Sequence, residues 1–413
     1  MNWIAWIILI ALIVDYLLNM ISDGLNLKHL SPEVPEAFQD IYDAEQYARS
    51  QEYLKVNTRF EWWVSGLDLI LILAFWFGHG FAYLDRWIRS FDLGSIMSGL
   101  LFVSVLGVIK LILSLPFTVY STFVIEERFG FNKTTVKTFI VDLMKSLVLS
   151  FVLGAPLLAG IFYFFEVAGA NAWWYCWSVV TIYVLIVQFI APTWIMPWFN
   201  KFTPLEPGEL KDMILDYARS IQFSLTNIFI IDGSKRSSKS NAFFTGFGKN
   251  KRIALYDTLV DQLSHKELVS VLAHEMGHYK KKHIWVNMAI GILYSGLMFY
   301  LLSIFISYDS LFDAFYMSQP SVYAGMIFFG MLFSPIDFFL GLFLQSLSRF
   351  NEYQADNFAA KTTNNPKALI SALKTLSVHN LSNLTPHPFY VFLNYSHPPV
   401  LERIKRLISL EKY

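Results

Sequence analysis

The chain has 413 residues, of which 55% are apolar and 15% are charged, and its mean hydropathy is +0.44. Because soluble domains carry about 25% charged residues, this composition excludes an ordinary soluble protein and indicates an integral-membrane one. The net charge is zero, which argues against a basic nucleic-acid-binding surface, so we expect no nucleic-acid partner.

In chain order, seven apolar segments reach the length of about 20 residues that a helix needs to cross the hydrocarbon core of a membrane. They predict a mainly α fold with seven membrane spans, at residues 3–20, 63–81, 96–120, 146–165, 173–194, 284–306 and 323–344. The first segment has no basic region before it and no small-residue cleavage site after it. We therefore expect a retained span and not a cleaved signal peptide.

Lysine and arginine are unevenly distributed between these spans. The segments after odd-numbered spans are rich in them, with thirteen between residues 197 and 283 and eight after residue 345. The segments after even-numbered spans hold two, none and none. Since cytoplasmic segments are enriched in lysine and arginine, we predict that the N-terminus lies outside and that the C-terminus and both large polar segments lie in the cytoplasm.

We predict four regions: spans one to five with their cytoplasmic loops, a polar cytoplasmic segment, spans six and seven, and a C-terminal segment, at residues 1–196, 197–283, 284–345 and 346–413. In the second region, the β-branched and aromatic stretches NIFIIDG, NAFFTGF and KRIALYDTLV predict a small antiparallel meander, with GKN as the turn into the last strand. The following stretch, SHKELVSVLAHEMGHYKKKH, predicts a helix in which Ser264 and Glu267 form a capping box.

This helix carries the pattern His-Glu-x-x-His. His274 and His278 are four residues apart, so both imidazoles project from one face of the helix. Two neutral imidazole nitrogens are suitable ligands for Zn²⁺, and Glu275 can take a proton from water at a zinc ion. The alternative is an amphipathic helix whose polar face carries these residues without a metal.

A hydrolytic zinc site needs a third protein ligand. After His278 the chain crosses the membrane twice and returns to the same side at SRFNEYQADNFAAK, a helical pattern with Glu352 and Asp356 on one face. We predict that Glu352 is the third ligand and that Asp356 orients a ligand histidine through its free N–H. A solvated helix face is the alternative interpretation of this stretch.

Three further features are open to two interpretations. His397, in the stretch YSHPPVLERI, could donate a hydrogen bond to an oxyanion or be satisfied locally. The stretch NAFFTGF could be a sheet edge that binds a peptide as an added strand, or an ordinary core strand. His283 is interpreted as an interfacial residue, next to three lysines that we expect to face lipid headgroups, Lys280, Lys281 and Lys282.

Polar residues also occur in or at the ends of the spans, namely Asp68, His79, Lys110, Glu166, Asn287 and Asp337. Ionisable residues are costly in lipid and usually face a bundle interior or a water-filled cavity. A metal-regulated transporter could use them as well, which leaves a non-catalytic function open.

Several motifs of this chain together resemble those of the type I CAAX prenyl protease family, the integral-membrane zinc endopeptidases that act on isoprenylated C-termini in eukaryotes. The similarity rests on HEMGHYKKKH, NEYQAD, NAFFTGF, FVIEERFGFNK and YSHPPVLERI, and SPEVPEAFQDIYDAEQYA extends it to residue 31. The resemblance implies seven helices around a large water-filled chamber, with the zinc site facing into it and a small α+β protease region.

The resemblance also implies a role for each matching residue. Glu275 would be the catalytic base, His397 a transition-state hydrogen-bond donor, and Arg403 a site-supporting residue. The implied ligands of one Zn²⁺ per chain are His274, His278 and Glu352. The implied substrate-binding edge comprises Asn241, Ala242, Phe243, Phe244, Thr245 and Gly246.

We thus predict an integral-membrane zinc metalloendopeptidase that cleaves peptide or protein substrates, with prenylated C-termini as the class that the resemblance implies. The alternatives are a bacterial quality-control protease for membrane proteins and a non-catalytic, zinc-regulated transporter. Because the sequence ends in LEKY, without an ER-retrieval signal, we expect a bacterial inner-membrane protein, with the endoplasmic reticulum membrane as the alternative.

Overall fold

A computed structural model of the protein describes residues 1–225, 227–245 and 252–410. The predicted turn at 248–250 and the predicted edge residue Gly246 lie outside these ranges. The strands are β1 (Phe202–Pro204), β2 (Asn227–Ile231), β3 (Ala242–Thr245) and β4 (Arg252–Tyr256). The helices are α1 (Trp3–Lys28), α2 (Ala44–Phe77), α3 (Gly80–Arg89), α4 (Ser95–Tyr120), α5 (Val136–Val167), α6 (Ala172–Ile190), α7 (Met196–Phe199), α8 (Glu209–Ser220), α9 (Asp257–Gln262), α10 (His265–Lys280), α11 (His283–Phe305), α12 (Asp309–Asp313), α13 (Val322–Thr363), α14 (Pro366–His379), α15 (Pro388–Asn394) and α16 (Val400–Leu410).

Seven helices in the described ranges are long and apolar enough to cross a membrane, as predicted: α1, α2, α4, α5, α6, α11 and α13. Several extend well beyond the apolar segments, since α2 begins at Ala44 and α13 continues to Thr363. Hydropathy detects only the apolar part of a helix, whereas backbone hydrogen bonding continues into its polar flanks. The predicted end of the second span at residue 81 is wrong, because α2 ends at Phe77. His79 has a left-handed backbone conformation, with a φ of 62°, and the separate helix α3 begins directly after it.

A dense apolar core closes one end of the membrane bundle, the end at which α1 begins and α11 connects to α13. Trp76 stacks on Phe315 with ring centroids 4.8 Å apart, and Phe315 stacks on Phe328 at 3.8 Å. Asp85 is buried in this core and accepts a hydrogen bond from the Tyr323 hydroxyl at 2.5 Å. The helices are therefore tightly packed here, and the buried carboxylate has a partner.

A cavity of about 940 Å³ lies between α1, α2, α4 and α13. Its wall is mostly apolar, but Asp68 and Lys110 line it and form an ion pair with an N–O distance of 2.7 Å. Two of the polar residues within the spans thus face an interior space, as ionisable residues of membrane helices generally do. Asn394 of α15 also lines the cavity, three residues before His397, whereas the predicted zinc ligands do not line it.

The four strands within the described ranges form one sheet in the order β1–β2–β4–β3. The predicted antiparallel meander is wrong in its strand order, because β2 and β4 pair in parallel and β3 pairs antiparallel to β4 on the outside of the sheet. Three consecutive residues of β4 are fully buried, namely Ile253, Ala254 and Leu255. A continuous apolar run is typical of a central strand. Strand β4 therefore lies inside the sheet, and β3 is left at the edge.

A second apolar core joins this sheet to α8, α10, α14 and the C-terminal half of α13. Helix α10 contributes Leu268, Leu272 and Met276, which are buried at helical spacing. Its first turn forms the predicted capping box, in which the Glu267 side chain accepts a hydrogen bond from the Ser264 N–H at 2.8 Å. The core thus fixes α10 against α13, the two helices that carry the predicted metal ligands.

Candidate metal centre

Helix α10 and the C-terminal half of α13 approach one another closely beside the predicted ligands. A Cβ atom at Gly277 would lie 3.2 Å from the Cα atom of Ala355 and 3.3 Å from its carbonyl oxygen, so glycine permits this approach. Gly277 precedes His278 in α10, and Ala355 lies between Glu352 and Asp356 in α13. The crossing therefore brings both carboxylates of α13 to the histidines of α10.

The three predicted ligands converge on one small space. The Nε2 atoms of His274 and His278 are 3.2 Å apart. The Glu352 carboxylate lies 3.4 Å from Nε2 of His274 and 3.2 Å from Nε2 of His278. The three residues offer ligand atoms that all lie within 4.8 Å of one another, and His274 and Glu352 are buried. We call these three residues the ligand cluster.

The chemistry of the ligand cluster fits a divalent metal ion. Oε2 of Glu352 is buried and makes no hydrogen bond within the described part of the chain. A buried carboxylate oxygen without a hydrogen bond is costly, and a cation between the three ligand atoms would satisfy it. Two imidazole nitrogens and one carboxylate oxygen are also a donor set found in hydrolytic zinc sites.

The second ring nitrogen of His274 is held by a carboxylate. With Nε2 turned toward the ligand cluster, His274 donates from Nδ1 to Oδ1 of Asp356 at 2.9 Å. Arg403 of α16 donates to both oxygens of Asp356, at 2.8 and 2.6 Å, and its side chain is 11% exposed. One Arg403 nitrogen also lies 3.6 Å from Oε2 of Glu352. The structure thus brings Asp356 and Arg403 directly behind the ligand cluster.

The second ring nitrogen of His278 is held by His283, which is buried. The two Nδ1 atoms are 3.0 Å apart, and Nε2 of His283 lies 3.5 Å from Oε1 of Gln354. With Nε2 of His278 facing the ligand cluster, its Nδ1–H donates to His283, which donates in turn to Gln354. The interfacial interpretation of His283 is wrong, because the chain turns at Lys282, whose φ is 63°, and brings His283 back against α10. The only signal in the sequence was a further histidine five residues after His278.

Glu275 lies between the two histidines of α10 but does not belong to the ligand cluster. Its side chain is half-buried. Burial raises the pKa of the Glu275 carboxyl above its ordinary value, while His274 and His278 oppose that shift. A raised pKa suits a carboxylate that must both take up and release a proton.

His397 lies on the open side of the ligand cluster. Its side chain is 64% exposed, and its Nε2 atom is 3.5 Å from Oε1 of Glu352. The Ser396 hydroxyl is 2.9 Å from Nδ1 of the same ring. When that hydroxyl donates to Nδ1, the proton of the neutral ring resides on Nε2, which can then donate into the site. The arrangement is compatible with the hydrogen-bonding role predicted for His397.

Strand β3 carries the described part of the predicted binding edge. It packs beside α10, and no strand in the described ranges pairs with its outer side. The backbone carbonyl of Asn241 accepts a hydrogen bond from the Tyr256 N–H at 3.1 Å. Along β3, residues whose backbone groups bond to β4 alternate with residues whose backbone groups point away from it. The backbone groups of Phe243 therefore face β4, and those of Ala242 and Phe244 face the open side. Such an edge can pair with an extended peptide.

Two family models match this chain. Residues 25–201 match the family described as CAAX prenyl protease N-terminal, five membrane helices, and residues 204–411 match peptidase family M48. The second match includes the ligand cluster, the residues behind it and strand β3.

Individual proteins match over nearly the whole chain. The chain is 35% identical to a CAAX prenyl protease 1 homolog of Arabidopsis thaliana, over 97% of this chain and 96% of that protein. It is 34% identical to a CAAX prenyl protease 1 homolog of Homo sapiens, over 92% and 90% of the two chains. The crystal structure of S. mikatae Ste24p matches with a TM-score of 0.93 and 32% identity, and covers 98% of this chain and 99% of that chain. This chain therefore belongs to peptidase family M48 and is a seven-span membrane metalloendopeptidase of the CAAX prenyl protease type.

Proposed function

We propose that His274, His278 and Glu352 hold one Zn²⁺ per chain. The observation that carries this assignment is the convergence of their ligand atoms within 4.8 Å, with one oxygen of Glu352 buried and without a hydrogen bond in the described ranges. Three protein ligands leave a fourth position for water or substrate, which hydrolytic zinc sites require.

We propose that Glu275 is the general base of peptide hydrolysis. When bound, zinc supplies Lewis-acid chemistry that polarises the scissile carbonyl and acidifies the attacking water. Glu275 takes the proton of that water and passes it to the nitrogen of the leaving amine. Its raised pKa supports the uptake step, because a carboxylate with a pKa above its ordinary value takes the proton of the water more readily.

The neighbouring polar residues support this chemistry. His397 donates from Nε2 to the oxyanion that forms on the attacked carbonyl, and its place on the open side of the ligand cluster favours this role. Asp356 orients His274, and Arg403 holds Asp356 through two hydrogen bonds. Arg403 is a positioning residue, because it contacts Asp356, Glu352 and His274 from behind and does not lie on the open side of the ligand cluster.

We infer that the substrate is an extended peptide that pairs with β3, and that it ends in an isoprenylated C-terminus. The open edge of β3 beside α10 supports the first part, and the name CAAX prenyl protease carried by the relatives supports the second. In this proposal residues 1–196 and 284–345 supply the membrane spans, and residues 197–283 and 346–413 supply the protease chemistry. The substrate-binding residues are Asn241, Ala242, Phe243, Phe244, Thr245 and Gly246.

The test is cleavage of two peptides of one sequence, with and without an isoprenyl group on the cysteine, by the purified full-length chain. We expect cleavage of the prenylated peptide, loss of activity with a zinc chelator and recovery on addition of Zn²⁺. Equal cleavage of both peptides would favour the quality-control alternative. Cleavage that persists at full rate in a metal-free preparation would contradict the zinc assignment.

We propose that the protease region faces the cytoplasm and that the lysines at the junction of α10 and α11 contact lipid headgroups, because lysine and arginine are concentrated in the segments on that side. The eukaryotic relatives favour the endoplasmic reticulum over a bacterial inner membrane. In sealed vesicles whose cytoplasmic face is outward, a cysteine at the exposed position Glu206 (Glu206→Cys) should react with an impermeant thiol reagent added outside, and one at the exposed position Gln319 (Gln319→Cys) should not. The reverse labelling pattern, or labelling of both, would contradict this orientation.

His283→Ala should lower zinc affinity about 10–100-fold, which is the usual cost of removing a group that orients a metal ligand. The variant leaves His278 without the partner at Nδ1 that fixes its ring. Competition with a chromophoric chelator measures the affinity. His265→Ala, at the exposed start of α10, is the matched control and should bind zinc as the unchanged chain does. Equal affinity in the two variants would contradict the role given to His283.

A further inference from the structure

The motif FVIEERFGFNK takes no part in the chemistry proposed above, yet it holds the segment that leads into β3. The N–H of Ser238 donates to the carbonyl of Phe131 at 3.0 Å, and the N–H of Lys133 donates to the carbonyl of Arg236 at 3.0 Å. An antiparallel bridge lies between these two hydrogen bonds. The residues that precede β3 therefore run alongside the motif and take their position from it.

One charged side chain ties this segment to the membrane bundle. Lys239, three residues before β3, lies 2.9 Å from Glu126 and donates to the Tyr53 hydroxyl at 2.7 Å. Tyr53 belongs to the membrane helix α2, and its hydroxyl donates to the same Glu126 carboxylate. The Lys239 ammonium also lies over the ring of Phe131, 4.4 Å from its centroid. Lys239, Glu126 and Tyr53 thus bond to one another in a closed triangle, which we call the anchor cluster.

The anchor cluster and the first residue of the binding edge are separated by one well-fixed residue. Ser240 is buried, and its hydroxyl donates to Oε1 of Gln262 at 2.6 Å. Its N–H donates to Oδ1 of Asn380 at 3.3 Å. Asn241 follows and pairs with β4. The start of β3 is therefore set by two consecutive residues, Lys239, which is held by the anchor cluster, and Ser240, which is held by Gln262 and Asn380.

We propose that Lys239, Glu126 and Tyr53 are positioning residues that fix the start of the substrate-binding strand relative to the ligand cluster. The inference rests on the proposed role of β3 in binding the substrate. The anchor cluster acts through β3, and β3 contributes binding along the extended peptide but no proton transfer. Loss of the anchor cluster therefore weakens substrate binding and leaves the chemical step intact, so KM rises while kcat is preserved.

The test uses variants that remove a charge at nearly constant size, Lys239→Met and Glu126→Gln. Each should raise KM for peptide cleavage roughly tenfold, which corresponds to about 1.4 kcal/mol of lost binding, with kcat per bound zinc nearly unchanged. Lys239→Arg keeps the positive charge, so its KM should stay close to that of the unchanged chain. Zinc content and the unfolding temperature are measured on every preparation, so that partly unfolded protein is recognised.

Two controls separate the anchor cluster from its surroundings. Glu52, next to Tyr53 in α2, pairs with Arg128 of the same motif at 3.3 Å, so Glu52→Gln removes a comparable pair that does not include Lys239 and should leave KM unchanged. Phe244→Pro removes a backbone N–H on the open side of β3, and Phe244→Ala removes only the side chain. A higher KM in the proline variant than in the alanine variant is expected if β3 binds the peptide.

The outcomes distinguish the two proposals. A raised KM in Phe244→Pro without a raised KM in Lys239→Met and Glu126→Gln overturns the anchor cluster and leaves the binding strand in place. Equal KM values in Phe244→Pro and Phe244→Ala overturn the binding strand, and the inference with it. If Lys239→Met and Glu126→Gln lower zinc content or kcat while KM stays constant, the anchor cluster serves only stability. That result likewise overturns the inference.

Discussion

Glu275→Gln should lower peptide cleavage by about 10²–10⁴-fold, the usual contribution of a general base, while zinc stays bound. Glutamine keeps the size of the side chain but cannot accept a proton. The three groups of the ligand cluster are unchanged in this variant, so zinc content should remain near one per chain. The binding edge on β3 is also unchanged, so the variant should still bind its peptide.

All three quantities are measured on one preparation: zinc by atomic absorption, cleavage by mass spectrometry and peptide binding by fluorescence. Glu402→Gln is the matched control, because it makes the same chemical change at an exposed position of α16 and should retain activity. If zinc is lost together with activity, Glu275 has a structural role and the proposed mechanism is wrong. Full activity with zinc bound would show that another group moves the proton.

Glu352→Ala should abolish cleavage and lower zinc affinity by more than the roughly 10–100-fold expected for removing a residue that only orients a ligand. The variant removes one of three ligands, and the two remaining histidines both lie on α10. It also removes the only carboxylate that α13 brings into the ligand cluster. Zinc affinity is again measured by competition with a chromophoric chelator, in the same series as His283→Ala.

Glu402→Ala is the control for this variant, since its carboxylate is exposed and bonds to Tyr353 outside the ligand cluster. Because Glu352 is buried, Glu352→Gln is needed as a second variant that keeps the side-chain volume. Thermal unfolding then separates a lost ligand from a lost fold. Near-stoichiometric zinc in a folded Glu352→Ala preparation would rule out Glu352 as a ligand.

Several parts of the site can be predicted from the sequence because they depend on local spacing. His274 and His278 share a helix face whatever surrounds the helix, since residues four apart are neighbours on it. The seven spans follow from apolar length, which the membrane itself imposes. The approach of Glu352 could be predicted because two consecutive spans must return the chain to the side from which it left.

Other parts depend on contacts between distant segments and had no local signal. The order of the strands was wrong because propensity identifies a strand but not its neighbours, and burial of the middle of β4 decides which strand is central. His283 has the surroundings of an interfacial residue in the sequence, and only the turn at Lys282 brings it against His278. The anchor cluster joins residues 53, 126 and 239, which no spacing rule relates.

The sequence by itself determined the class of protein, the seven spans and the donor atoms of the ligand cluster. Composition, apolar length, helical periodicity and the number of spans do not depend on how distant segments pack. The tertiary structure decided how α10 meets α13, which it does at Gly277, where the absence of a side chain lets the two backbones approach. It also decided that β3 is an edge strand and that Lys239 holds it to the membrane bundle. These features arise from packing between segments far apart in the chain, and the energy of packing is not encoded in any single segment.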